Sequence, residues 1–74
     1  MVTILLMDSL ATRLKSLRQE KNLLLRDVAA VVGVKVTTVA RWERGEREPQ
    51  IENINKLCDF FHCTADYLLG RTED

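Results

Sequence analysis

The sequence predicts an all-α fold in which five short helices form a single compact domain. Three observations predict it. Apolar residues recur at helical spacing through most of the 74 residues, glycines and one proline interrupt that spacing at short intervals, and only residues 2–6 resemble a strand. A hydrophobic content of 46% is enough for a core. The length is near the lower limit for a domain that has no disulfide or structural metal to stabilise it.

Each predicted helix is bounded by residues that suit a helix end. The helices are expected over residues 9–20, 25–32, 36–44, 51–61 and 65–69. Residues that tolerate a left-handed backbone are expected to end them: Asn22, Gly33, Gly45, His62 and Gly70. Thr64 is expected to cap the last helix, and Pro49 pushes the residue before it out of helical space.

The apolar stripes of these helices define the expected core. Its members are Leu14, Leu17, Val28, Ala29, Val32, Val39, Trp42, Ile54, Leu57, Cys58, Phe61 and Leu68. Ile51 is also expected to face inward. We interpret Cys58 and Cys63 as small buried hydrophobes and not as a disulfide, because their side chains are expected to point differently. With His62 they supply too few ligands for a zinc site.

Residues 24–48 contain the most informative pattern of the chain. Two short helical stretches meet at Gly33, where a residue without Cβ turns the chain at low cost. This is the pattern of a helix-turn-helix, whose second helix can enter the major groove of DNA. The alternative is an ordinary small helical bundle, since two short helices joined at a glycine are common.

An ordered set of segments carries a family resemblance. The segments are RLKSLRQEKN at 13–22, DVA at 27–29, GVKVTTVARWERG at 33–45, Pro49, and LCDFFHCTADYLLG at 57–70. Together they resemble the phage-repressor and Cro-like helix-turn-helix regulators of the XRE type. The resemblance starts near Met7. It implies a five-helix lambda-repressor-like domain at residues 8–70 that binds double-stranded DNA through its third helix, usually as a homodimer on a two-fold operator.

The resemblance also assigns roles to residues of the third helix. Its N-terminal half supplies base contacts in the family, and the matching positions are Val36, Thr37 and Arg41. Arginine can donate two hydrogen bonds to guanine, and valine can contact a thymine methyl group. The residues expected to contact phosphates are Lys35, Thr38, Arg44 and Arg47. The alternative is that all of these are merely solvated side chains.

One ion pair is expected from the resemblance as a structural device. Family members commonly pair the glutamate at the position of Glu43 with a basic residue of the first helix, and Arg18 is the matching residue. The alternative is an exposed glutamate. Breaking a buried pair costs about 3–5 kcal/mol because one charge is left without its partner.

Other features of the sequence weaken the DNA-binding interpretation. The formal net charge is zero, although residues 33–47 carry four basic and two acidic side chains, a local balance of +2. Leu24 and Leu25 stand where the family usually has a polar cap and a glutamine. With Val31 and Val36 they predict an apolar patch, which favours an alternative function as a protein-interaction module, an antirepressor or an assembly partner.

Several classes of protein are excluded by what the sequence lacks. A single histidine, without a catalytic triad or a phosphate-binding loop, indicates that the chain is not an enzyme, and no cofactor, metal or small-molecule substrate is expected. No apolar run is long enough to span a membrane, so a cytoplasmic location is expected. Residues 1–7 are interpreted as an apolar arm, docked or paired with its two-fold mate, or as an extension without a role. Residues 71–74 are interpreted as a tail.

Overall fold

The computed structural model describes residues 9–71 and contains five helices within them. They are α1 (Ser9–Glu20), α2 (Leu25–Val32), α3 (Val36–Glu43), α4 (Ile51–Phe61) and α5 (Ala65–Leu68). The all-α prediction is confirmed, and residues 9–71 contain no strand. The third and fifth helices end one residue earlier than predicted. The expectations for residues 1–7 and most of the 71–74 tail lie outside the described residues.

The five helices share one mode of termination. A residue with positive φ follows each helix, namely Asn22, Gly33, Gly45, His62 and Gly70. The N–H of the next residue then donates to the carbonyl five positions earlier, with N···O distances of 2.8–3.1 Å. This is the six-to-one bond of the Schellman motif, which satisfies carbonyl groups that the helix leaves without a partner. The residues predicted to terminate the helices are therefore confirmed.

The helix starts are less regular than the ends. Thr64 caps α5 by accepting a hydrogen bond from the Tyr67 N–H at 3.0 Å. Leu24 and Lys35, before α2 and α3, provide no side-chain cap. At α2 the Asp27 carboxylate partly compensates by accepting the Leu24 N–H at 2.8 Å, and its negative charge lies favourably in the first turn.

The core forms where the apolar faces of the helices meet. α3 packs against α1 and α2, α4 against α2 and α5, and α5 against α1. The fully buried side chains are contributed by all five helices: Leu14, Val28, Val32, Val39, Leu57 and Leu68. Trp42 is also buried, as the sequence predicted. A polar contact also joins α1 to α5. The Arg13 guanidinium lies over the Tyr67 ring and donates a hydrogen bond to the Tyr67 carbonyl.

The core prediction was wrong at one position and incomplete at others. Ile51 was expected to face inward but is 76% exposed, because it lies at the first residue of α4, one turn before the packed stripe begins. Leu17 and Ile54 are half-buried and pack against the core from its edge. Ala11, which the sequence analysis did not select, is buried on the first turn of α1.

Candidate nucleic-acid interface

The two sides of α3 have different surroundings. Val39 and Trp42 point into the core, whereas Val36, Thr37 and Arg41 are exposed. At about 100° per residue these three exposed positions span an arc of roughly 140°, opposite the buried pair. We call this arc the outer face of α3. The helix is therefore held along one side and open to the surroundings along the other.

The inner side of α3 is fixed by an ion pair as well as by apolar packing. Arg18 Nε donates to Glu43 Oε2 at 2.6 Å, and Arg18 Nη2 donates to Glu43 Oε1 at 3.0 Å. Arg18 Nη1 also donates to the Leu23 carbonyl at 2.9 Å, which ties α1 to the chain that enters α2. The two side chains are only 14% and 7% exposed. The structure thus brings together the two residues that the sequence analysis paired.

The electrostatics of this pair follow from its geometry. Hydrogen bonding to Glu43 raises the pKa of the Arg18 guanidinium, burial opposes that rise, and the charge of Glu43 adds to it. A two-pronged arginine–carboxylate pair is directional as well as charged. It therefore fixes the orientation of α3 relative to α1, and it removes Glu43 from the exposed surface.

The structure places the three predicted base-contacting residues on the outer face of α3. Val36 is 43% exposed despite its apolar side chain, and Thr37 and Arg41 are exposed beside it. Within residues 9–71 all three side chains therefore lie at the surface, on the same side of the helix.

The predicted phosphate-contacting residues have more varied surroundings. Lys35 and Arg47 are exposed at the two ends of the segment, and Thr38 is half-buried at the edge of the outer face. Arg44 is exposed but bonded to a glutamate that the sequence analysis did not select. Its Nε donates to Glu46 Oε2 at 2.8 Å, and its Nη2 donates to Oε1 at 3.3 Å.

Glu46 is the residue of this surface that the sequence reasoning missed. Hydrogen bonding to Arg44 lowers the pKa of its carboxyl group, burial opposes this slightly, and the charges of Arg44 and Arg41 lower it further. Glu46 is bonded to Arg44 through its side chain, and its backbone N–H donates to the Arg41 carbonyl at 2.9 Å. The signal in the sequence was the turn Arg44-Gly45-Glu46. Gly45 reverses the chain there and brings Glu46 back toward α3.

The charge exposed around α3 is more positive than the sequence count indicated. Residues 33–47 have four basic side chains, and one of their two glutamates, Glu43, is neutralised by Arg18 on the inner side. Within residues 33–47 Glu46 is then the one exposed acid beside four basic residues, a balance of +3 for that segment. A chain without net charge can therefore present a basic surface at the outer face of α3.

The predicted apolar patch is only partly present. Leu24, Val31 and Val36 are exposed, but Leu25 is half-buried and packs against the core. The expectation for Leu25 was wrong because this first residue of α2 turns toward the core and not toward solvent. Among residues 9–71 no cluster of three or more metal-binding side chains occurs.

These features define a small helical domain that presents a short, partly basic helix, and comparison with known proteins identifies its family. The helix-turn-helix family model matches residues 14–68, and the chain belongs to that family. The regulator AnsR of Bacillus subtilis, an HTH-type transcriptional regulator, is 42% identical over 59 residues, covering 80% of this chain and 51% of AnsR. Repressor protein C2 of Salmonella phage P22 is 33% identical over 57 residues, covering 77% of this chain and 26% of C2.

Solved structures show the same likeness. The restriction-modification controller protein C.AhdI from Aeromonas hydrophila superposes with a TM-score of 0.75 at 29% identity, covering 84% of this chain and 94% of that one. The DNA-binding domain of the P22 C2 repressor superposes with a TM-score of 0.75 at 32% identity, covering 81% and 79%. The chain spans about half the length of AnsR and less of C2. None of the helices described between residues 9 and 71 is long and apolar enough to cross a membrane.

Proposed function

We propose that this chain is a sequence-specific DNA-binding transcriptional regulator, a repressor of phage or mobile-element type. The observation that carries the proposal is the contrast between the two sides of α3: the inner side is fixed by Trp42 and by the Arg18–Glu43 pair, and the outer face is open. A rigid helix with an exposed face is what entry into the major groove requires. The likeness to the P22 C2 DNA-binding domain supports the same role.

In this proposal the outer face reads bases through three kinds of contact. Arg41 donates two hydrogen bonds to O6 and N7 of a guanine, the commonest specific arginine contact in the major groove. Val36 packs against a thymine methyl group, since its side chain is exposed and has no polar atom. Thr37 lies beside Val36 and offers both a hydroxyl and a methyl group to a base edge.

The basic residues around α3 supply attraction that does not depend on sequence. Lys35, Arg44 and Arg47 contact phosphates in this proposal, and Thr38 donates to one from the edge of the outer face. Arg44 must exchange its bond to Glu46 for a bond to a phosphate. Because both partners are more than half exposed, water already screens that bond and the exchange costs little.

The working form that we propose is a cytoplasmic homodimer on a two-fold symmetric operator. An α3 of eight residues can reach only a few base pairs, and two copies double the footprint over half-sites about 34 Å apart. The second copy also doubles the phosphate contacts, which a chain without net charge needs. We propose no catalytic activity for this domain, and the partner is double-stranded DNA.

Selection of binding sites from random duplex DNA tests the proposal. The purified chain is mixed with duplexes that carry a randomised central segment, and the bound fraction is amplified and sequenced over several rounds. We expect a two-fold symmetric sequence to be enriched, with a guanine at corresponding positions of both half-sites. Fluorescence anisotropy then compares that duplex with a shuffled duplex of the same composition at low and moderate salt.

Each outcome has a defined meaning. Enrichment, with affinity that falls as salt rises, supports the proposal, because released counterions make phosphate contacts salt-dependent. Absence of enrichment together with salt-insensitive or undetectable binding would overturn it. That result would favour the protein-interaction alternative through the exposed Leu24, Val31 and Val36.

A further inference from the structure

The closure that ends every helix places two particular side chains next to each other. The six-to-one bond joins the residue whose carbonyl accepts to the residue five positions later, and side chains at those two positions commonly touch. At the end of α5 the two residues are Asp66 and Arg71, with a backbone N···O distance of 2.8 Å. Their side chains form an ion pair at 3.6 Å. The closure therefore brings side-chain functional groups into contact in this protein.

At the end of α4 the same closure joins two cysteines. The Cys63 N–H donates to the Cys58 carbonyl at 3.0 Å, and His62 between them has φ of 57°, the left-handed conformation. Both are free cysteines in the structure. The chain reversal at His62 brings the backbones of the two cysteines together, a proximity that the sequence analysis did not consider.

Backbone geometry limits how far apart the two cysteines can be. The Cα–O distance within a residue is about 2.4 Å and the N–Cα bond is about 1.5 Å. Added to the N···O distance of 3.0 Å, they place the two Cα atoms at most about 7 Å apart, even if all the atoms were collinear. Since hydrogen-bonded atoms are not collinear, the true separation is shorter than this limit, and it does not exceed the roughly 6.8 Å that disulfides can span.

The two thiols differ in accessibility. Cys58 is 9% exposed and belongs to the core, whereas Cys63 is half-buried at its edge. Burial raises the pKa of the Cys58 thiol to about 11, and the charge and hydrogen bond of the adjacent Cys63 thiol add to that rise. Because the thiolate is the reactive form, Cys63 reacts first with a reagent from solution, and Cys58 then reacts with Cys63.

We propose that Cys58 and Cys63 are a modification site, a thiol pair that forms a reversible intramolecular disulfide across the end of α4. The oxidant is a low-molecular-weight disulfide such as oxidised glutathione. The Cys63 thiolate attacks one sulfur of that disulfide, a mixed disulfide forms, and one small thiol leaves. The Cys58 thiolate then attacks the Cys63 sulfur, and the second small thiol leaves. The protein loses two electrons and two protons, and the small disulfide gains them.

Thiol counting in glutathione buffers tests the proposal on the full chain. The protein is equilibrated with mixtures of reduced and oxidised glutathione, and the reaction is quenched in acid. The remaining thiols are alkylated with a maleimide, and the mass of the protein is measured by mass spectrometry. We expect a monomer that takes up no maleimide to accumulate as the buffer becomes more oxidising, and dithiothreitol to restore two alkylation sites. Cys58→Ala, which keeps the more accessible thiol, should give only the glutathione adduct or a cross-linked dimer. Cys63→Ser, which keeps only the buried Cys58 thiol, should stay largely reduced and take up one maleimide after the acid quench.

Comparison with the unfolded chain isolates the contribution of the fold. The same titration in denaturant measures how readily two cysteines five residues apart join when no closure positions them. We expect the equilibrium constant for the disulfide to be at least about tenfold higher in the native protein, which is about 30 mV for a two-electron couple. An equal or lower native constant would overturn the proposal, and so would a native wild type that forms only mixed disulfides or dimers.

Discussion

The two sides of α3 carry the same kind of ion pair in opposite surroundings. On the inner side Arg18 and Glu43 are bonded through two nitrogens and are almost completely shielded from water. Beside the outer face Arg44 and Glu46 are bonded in the same way, but the side chains are 58% and 52% exposed. The chemistry is the same and the surroundings differ. The inner pair can orient the helix, whereas the outer pair can be exchanged for another partner.

Removal of the inner glutamate charge should have the largest effect on stability. Glu43→Gln keeps the size of the side chain but leaves the Arg18 charge without its partner in a poorly solvated position. We expect a loss of about 3 kcal/mol in the free energy of unfolding, the lower end for a buried pair because Arg18 retains some exposure. Urea denaturation followed by Trp42 fluorescence measures it.

Two control variants sharpen this prediction. Glu46→Gln makes the same chemical change in the exposed pair and should leave the urea midpoint almost unchanged. The double variant Arg18→Met, Glu43→Leu removes both charges and should lose far less stability than Glu43→Gln alone, because no unpaired charge remains. Equal losses for Glu43→Gln and Glu46→Gln would mean that burial does not distinguish the two pairs.

The turn between α2 and α3 should show the next largest effect. Gly33 has φ of +83°, and a Cβ placed there would meet no atom within 4 Å. Gly33→Ala therefore introduces backbone strain without a steric clash, and we expect a loss of about 1–2 kcal/mol in the free energy of unfolding. The reverse change at the end of α4, His62→Gly, relieves such strain and should stabilise the protein slightly. Thermal unfolding of both variants checks the signs, and stabilisation by Gly33→Ala would contradict the prediction.

The smallest effect is expected from Glu46 on DNA binding. Glu46→Gln frees Arg44 and removes one negative charge from the surface near α3, so affinity for any duplex should rise by roughly two- to fivefold at low salt. The increase should disappear at high salt. Because pairing lowers the pKa of Glu46, lowering the pH to 5 should not mimic the substitution. Anisotropy titrations at two salt concentrations measure the change, and unchanged affinity at low salt would show that Arg44 makes no phosphate contact.

Local sequence patterns predicted much of the fold. The helices and their closing residues could be predicted because apolar spacing and left-handed residues such as Asn22 and Gly33 act through the local backbone. The exposure of Ile51 could not be predicted in this way, because it depends on how the helices pack around the first turn of α4 and not on local spacing. The proximity of Cys58 and Cys63 was not predicted, because it depends on the chain reversal at His62 and not on helical spacing.

The candidate site was predicted less completely than the fold. The positions of Val36, Thr37 and Arg41 followed from the resemblance, and the structure places them on one exposed face. Glu46 was missed because its effect depends on the turn at Gly45, which brings its carboxylate back to Arg44. The exposed charge of the surface could not be counted before Glu43 was known to be paired with Arg18 on the inner side.

The affinity of Arg41→Ala for two duplexes, the preferred site and a shuffled site of equal composition, tests most directly whether the outer face of α3 reads DNA sequence. We predict a loss of about 1–3 kcal/mol, roughly 5- to 150-fold, on the preferred duplex and a much smaller loss on the shuffled one. Lys35→Ala, the matched control, should weaken both duplexes alike. An equal loss on both duplexes for Arg41→Ala would contradict base reading by α3.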